Sequence, residues 1–588
     1  MVSFITFIFI GLLKSLPFGL LFVNLYPGVW AGFAPKEQKQ KVSKRTFLYT
    51  QLFFLLLGAV IFFILRDFLF LTEPISFTIF VFANIAIIIQ FLHFFASDHR
   101  KLKQLNKAIY TLFSFALLIS LFVYFIYPMM LTKELYAIPD VKVKKTTIAE
   151  QKNLDLMPIV TKGMTSIKAD GVISSLENAS YFTEGNYHLN NVDGKLVYLG
   201  DVEFDNFFKA NRVKSTPGVI SVSATDPKDE AILIKQKQTY APSNYFNKHL
   251  KRVVKNAYPN KIILGHHLEA KSEGEFYYVV PLGHYKKAFT GIVPDSVAIV
   301  HPETGKTKKY DLQKLPKWID RAIDEETAYT LWEYWGKNKN GWFNKSFIGP
   351  KRDVIVPNRK SLQITFNEDG DILYVTDFVR AREKGTATNM VGYGIFNART
   401  GEMTYYKGLK GILTGEEAAS SINASGPLSI QKGWKAKNTT FFNIYGAPTY
   451  VAPVVNSSNK LEGVAVMLGT SNNSKVVFGK TKEEAFREYR KELATLAKGN
   501  SASPSEDVLF TEVKGKVQRI KAVTFGGEET VFAKLEGDER LYMIPLSLDP
   551  ESALTEPGDE VIFKVIETDE TNVTVEEFVN MTMEKDLQ

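Results

Sequence analysis

Few residues in this chain are arranged to do chemistry. It has no cysteine, which removes disulfides, thiolate metal ligands and thiol nucleophiles. The one histidine pair, His266-His267, makes a poor metal site, because neighbouring residues of a strand face opposite sides. No HExxH or G-x-S-x-G motif occurs. Gly305-Lys306-Thr307 and Gly479-Lys480-Thr481 share the ending of a phosphate-binding loop, but Val300 and Ser474 stand where its first glycine belongs. Both therefore read as turns beside strands. The expectation is no catalytic residue, no metal and no cofactor.

Binding chemistry is better represented. Lys248, Lys251, Arg252, Lys255 and Lys261 interleave with Tyr245, Phe246 and Tyr258. Such a pattern either lays a basic, aromatic face on an anionic polymer or membrane surface, or is an amphipathic helix with its charges in water. Trp332, Trp335 and Trp342 are spaced for a sugar-binding platform or for a helical core. Lys14, Asn84, Gln90 and His93 interrupt apolar runs, as ion-pathway residues do, yet no acidic partner accompanies them; they also suit interhelical hydrogen bonds. Charge is unevenly spread. Residues 136–504 carry 51 Lys/Arg against 38 Asp/Glu, and residues 505–588 carry 8 against 20.

The elements that position these residues begin with four apolar segments, residues 3–26, 47–65, 75–96 and 108–131. A bilayer core of ~30 Å needs about 20 apolar residues in helical form, so the four read as transmembrane helices. Lys36, Lys39, Lys41, Lys44 and Arg45 crowd one connector, and Arg100, Lys101, Lys103 and Lys107 another. That places both connectors in the cytoplasm and everything after Leu131 outside it. Met1-Val2-Ser3 lacks the basic start of a cleaved signal peptide, so the first segment is expected to be retained. A multi-pass cell-membrane protein in contact with the lipid bilayer is the expected localisation.

Beyond the apolar segments, a strand-turn-strand pattern recurs four times, with tyrosines 198, 278, 374 and 450 holding one place in each unit. Val, Ile and Tyr-rich strands suit antiparallel sheets, and Pro302-Glu303-Thr304-Gly305 and Ala398-Arg399-Thr400-Gly401 suit bulged hairpin turns. Residues 324–335 and 481–497 show helical spacing, the latter opening on the Thr481 to Glu484 pair of a capping box. After a small, polar linker near Ser501-Ala502-Ser503-Pro504-Ser505, five short strands suggest a small OB or SH3-like barrel. Its acidic excess argues for protein binding and against nucleic acid.

The hairpins at residues 297–310 and 391–406 resemble the PepSY module of exported and membrane-tethered bacterial proteins. The whole arrangement resembles poorly characterised envelope proteins of low-GC Gram-positive bacteria and their mobile elements. That resemblance implies inhibition or chaperoning of a partner protein and transfers no catalytic residue. The expected architecture is thus an N-terminal helical transmembrane bundle (1–135), α+β repeats of antiparallel hairpins plus helices (136–500) and an acidic small β-barrel (505–588). The expected function is non-enzymatic binding of an envelope protein partner. Two alternatives accompany it: a membrane enzyme or transport-associated factor using Lys14, Asn84 and His93, and binding of an anionic cell-wall polymer by the basic central region.

Overall fold

The computed structural model describes residues 127–498 and 510–586, apart from short internal gaps, and six positions between 49 and 60. Strands dominate it. The expected N-terminal transmembrane bundle is corrected: among the described residues no helix is long and apolar enough to cross a membrane. Most of the four apolar segments, with Lys14, Asn84, Gln90 and His93, lie outside the described residues. Where the fourth segment ends, the chain forms only two short helices, Tyr127–Met130 and Thr132–Tyr136. Leu131 and Leu135 are spent there on protein packing, both buried, with Leu135 close against Gly291. The multi-pass cell-membrane localisation, and the orientation that depended on those spans, is corrected with the bundle.

Four units share one topology. In the first, strands Phe182–Glu184 and His188–Val192 both pair with one side of Lys195–Phe204, which pairs on its other side with Thr216–Ser223 and so on to Ile232–Gln238. The same split edge recurs along Glu275–Lys287, Ile372–Arg380 and Ala447–Val455. A helix precedes each sheet: Lys162–Ser174, Leu250–Ala257, Glu325–Lys337 and Gly415–Ala424. The third sheet gains a parallel edge strand, Val141–Lys144.

Each unit is closed by one recurring contact. The chain entering the helix donates backbone hydrogen bonds to a residue one or two positions past the second long strand: Ile159 and Val160 to Ala224, Thr239 and Tyr240 to Pro302, Ala322 and Ile323 to Ala398, and Leu413 to Gly469. The recurring tyrosine reinforces this closure in two units. Tyr374 Oη donates to the Ile323 carbonyl at 3.0 Å and Tyr450 Oη to the Leu413 carbonyl at 2.7 Å. In the second unit the entry segment is separated from its helix by residues 241–249, and Tyr278 Oη instead donates to Asp201 at 2.8 Å.

Units associate in pairs. Leu199 and Val219 of the first share a core with Leu268, Phe276 and Tyr278 of the second, and Val375 and Tyr393 of the third share one with Phe441, Tyr450 and Ala452 of the fourth. The long strands carry the same signature: Tyr198 and Tyr374 are followed three residues later by Asp201 and Asp377, Tyr278 and Tyr450 by Pro281 and Pro453. The repeat region is therefore two copies of a two-unit block. Helix Lys482–Lys498 follows, and residues 510–580 close a five-stranded barrel in which strand Leu541–Pro545 runs parallel to Asn572–Asn580. That strand order is the OB type.

Candidate anion-binding cleft

A cleft of about 1140 Å³ opens in the third unit, between the end of helix Glu325–Lys337, the loop at residues 350–355 and the loop leaving strand Ile372–Arg380. The helix sits close against the sheet because Gly336 has no side chain; a Cβ there would stand 2.5 Å from the Ile355 carbonyl. That approach brings Trp335 into the cleft wall, packed on Tyr405 with ring centroids 4.8 Å apart.

One buried amide fixes the facing loop. Asn344, on the short helix Gly341–Lys345, is 5% exposed. Its Nδ2 donates to the carbonyls of Lys339 at 3.1 Å and Arg352 at 2.9 Å, and its Oδ1 accepts from Arg352 N at 2.8 Å. Lys351 N donates to the Asn344 carbonyl at 2.9 Å. Under these constraints Asn340, Lys351 and Asp353 hold left-handed backbone, at φ of 66°, 51° and 53°. Such non-glycine conformations cost on the order of 1 kcal/mol each and persist where surrounding contacts impose them.

The cleft is strongly basic. Lys339, Lys351, Arg352, Arg380, Arg382 and Lys407 line it, against Asp353 and Glu383. Arg380 pairs with Glu383 at 3.2 Å and Arg382 Nη2 donates to the Pro350 carbonyl. No ion pair occupies Lys339, Lys351, Arg352 or Lys407 among the described residues. Four uncompensated cations on low-dielectric walls focus a positive potential into the opening. Asn389 also belongs to the wall; its Oδ1 is buried and has no hydrogen-bond partner among the described residues. The walls hold no cysteine or histidine, and an arrangement of cations beside an aromatic wall is suited to binding.

Sequence-predicted candidates go elsewhere. In helix Leu250–Ala257, Leu250 and Val254 are buried; Lys255 Nζ donates to the Lys261 carbonyl at 3.0 Å and Lys261 pairs with Asp295 at 2.6 Å. That basic cluster is tied into the second unit. Burial pushes the Lys248 and Lys255 amines below their ordinary values. The tryptophans separate: Trp332 is wholly buried, Trp335 lines the cleft and Trp342 is exposed. Gly305 is a turn glycine at φ 70°, and Thr481 caps helix Lys482–Lys498 by accepting from Glu484 N at 3.2 Å.

His267 belongs to a buried polar cluster where the first three units meet. Its Nε2 lies 3.0 Å from the Arg321 carbonyl and 3.1 Å from Glu269 Oε1. Arg321, 3% exposed, directs Nη1 to His188 Nδ1 at 3.2 Å and Nη2 to the Leu189 carbonyl. Burial holds both imidazoles well below their ordinary range, pushes Glu269 up to about 8 and, helped by Glu269, pushes Asp320 up to about 7. His267, Glu269 and Arg321 are buried, Asp320 reaches the lining of a small surface pocket, and among the described residues no group of His, Asp and Glu is placed to hold a metal ion.

The cleft cations escaped sequence reading because they are scattered from Lys339 to Lys407; the doublet Lys351-Arg352 and the triplet Arg380-Ala381-Arg382 were the available signals. No known family profile matches the chain, and no curated protein matches it in sequence.

Proposed function

We propose that this chain is a non-enzymatic binding protein that takes an anionic polymer into the basic cleft of its third unit, with the array of PepSY-like units as the mount. One observation carries the reading: Lys339, Lys351, Arg352 and Lys407 converge on one opening without ion pairs among the described residues, two of them on a loop pre-set by a buried asparagine. A surface selected only for solubility gains nothing from strained backbone, whereas a binding site gains preorganisation. Acidic segments of a partner protein present the same charge and fall within the reading.

Titration with fluorescently labelled octaglutamate and with linear polyphosphate, across a salt series, tests it. Four phosphate contacts predict a slope of log affinity against log salt of about −3. Lys351→Ala with Arg352→Ala should bring that slope near half, while replacing Lys251 and Lys255 should leave it unchanged. Absence of binding by either polyanion at low salt refutes the proposal.

A further inference from the structure

We infer that the short helix Gly341–Lys345 and the loop after it rest on an anionic lipid surface, with Trp342, Phe343 and Ile348 reaching into its headgroup boundary. The contact goes beyond the anionic-polymer reading and uses side chains outside the cleft lining. Trp342, Phe343 and Ile348 are exposed, Ile348 to 77%, and so are Met129 and Met130 of helix Tyr127–Met130. The two helices lie against each other, and Gly349 folds the loop back so closely that a Cβ there would collide with the Phe343 carbonyl. Five large apolar side chains thus share one region of the surface, a feature that marks an interaction site.

Two observations say what covers it. In sequence, the uncharged apolar run of residues 108–126 leads directly into Tyr127, at the edge of the patch. Residues 337–352 also carry Lys337, Lys339, Lys345, Lys351 and Arg352 and no Asp or Glu. A second copy presenting the same patch would set these cations against their like. A lipid surface is apolar within and anionic at its rim, so it matches an apolar tip flanked by cations, and aromatic side chains favour that boundary. The loop's backbone is satisfied from within, as a poorly hydrated boundary requires. Ser346 N donates to the Trp342 and Phe343 carbonyls, each at 3.2 Å, and Gly349 N donates to the Ser346 carbonyl at 3.1 Å. The contact is peripheral and needs no spanning helix, since such faces sink only about 5–10 Å.

Because the chain has no cysteine, one introduced thiol carries a unique label. Ile348→Cys is labelled in the full chain with an environment-sensitive nitrobenzoxadiazole dye, as are Ile232→Cys and Val523→Cys, exposed apolar sites on the first unit and the barrel. Each is mixed with vesicles of phosphatidylcholine alone and of equal phosphatidylcholine and phosphatidylglycerol. On the mixed vesicles the dye at 348 should shift to the blue, brighten several-fold and be quenched by spin labels placed high on the acyl chains. The dyes at 232 and 523 should stay as in buffer. Trp342→Ser with Phe343→Ser should remove most of the response at 348, because the apolar area that holds the loop in place is lost. A dye at 348 that reports water on the mixed vesicles overturns the inference, as does an equal response at all three sites or on both kinds of vesicle. A blue-shifted dye before lipid is added also overturns it and assigns the patch to the chain's own apolar run or to a second copy. The polyphosphate titration contains no lipid, so its outcome bears on the anionic-polymer reading alone.

Discussion

Glu269 gives the sharpest test of how the first three units are joined. Its carboxyl is 1% exposed, beside His267 and the Arg321 backbone, and burial pushes it up to about 8 from 4.5 despite the pull of Arg321. A value raised on folding means that the folded state holds the proton more tightly. The stability it contributes is complete below about pH 4.5 and is lost as the pH rises through about 8. A shift of this size corresponds to about 4–5 kcal/mol at the alkaline end. Asp320, raised to about 7, acts in the same direction. His188 and His267, held low by burial, act oppositely, their contribution being lost as the pH falls below about 6.5. Comparison above neutrality therefore isolates the carboxyls. Glu269→Gln stays neutral at every pH. We expect it to match the parent at pH 5 and to exceed it by several kcal/mol at pH 9, read as hydrogen-exchange protection of strand Glu275–Lys287 after correction for intrinsic exchange. Parallel pH profiles would refute the reasoning and show that Arg321 keeps Glu269 ionised throughout.

Further perturbations have defined outcomes. Tyr374→Phe and Tyr450→Phe each remove a bond that reinforces the closure of a unit, and each should lower urea stability by about 1–2 kcal/mol. Tyr278→Phe strips a donor from Asp201, whose carboxyl burial already pushes to about 6; its loss of stability should be larger at pH 8 than at pH 5. Asn344→Ala removes three side-chain hydrogen bonds and releases the loop bearing Lys351 and Arg352, so polyanion affinity in a titration should fall about fivefold or more. Trp332→Ala empties a core shared by helix Glu325–Lys337 and the third sheet, and calorimetry should show a loss of about 3–5 kcal/mol.

The sequence was informative where local chemistry decides structure. Tyrosines 198, 278, 374 and 450 fall on the four long strands because a buried β position favours a large aromatic, whose hydroxyl reaches a backbone carbonyl from Tyr374 and Tyr450 and the Asp201 carboxyl from Tyr278. Thr481 and Glu484 mark a helix start because capping is a contact within four residues. Long-range pairing was not legible. Nothing local distinguishes a split edge strand from two unrelated ones, and the Asp201/Asp377 and Pro281/Pro453 alternation gains meaning only once units are seen to pack in pairs. Hydropathy misled near Leu131, where apolar residues cover helix Glu325–Lys337 and Gly291 within the protein. The basic run near Lys251 was conspicuous in sequence and proves to be a tied-down helix face, whereas the cleft draws its cations from four separate places in the chain.

A hydrogen-exchange footprint of the full chain, with and without linear polyphosphate, tests the central claim most directly. Binding in the third-unit cleft predicts slowed exchange in residues 350–355 and 380–391, with helix Leu250–Ala257 and the barrel unchanged. Protection confined to the helix or the barrel, with the cleft loops exchanging as before, would contradict it.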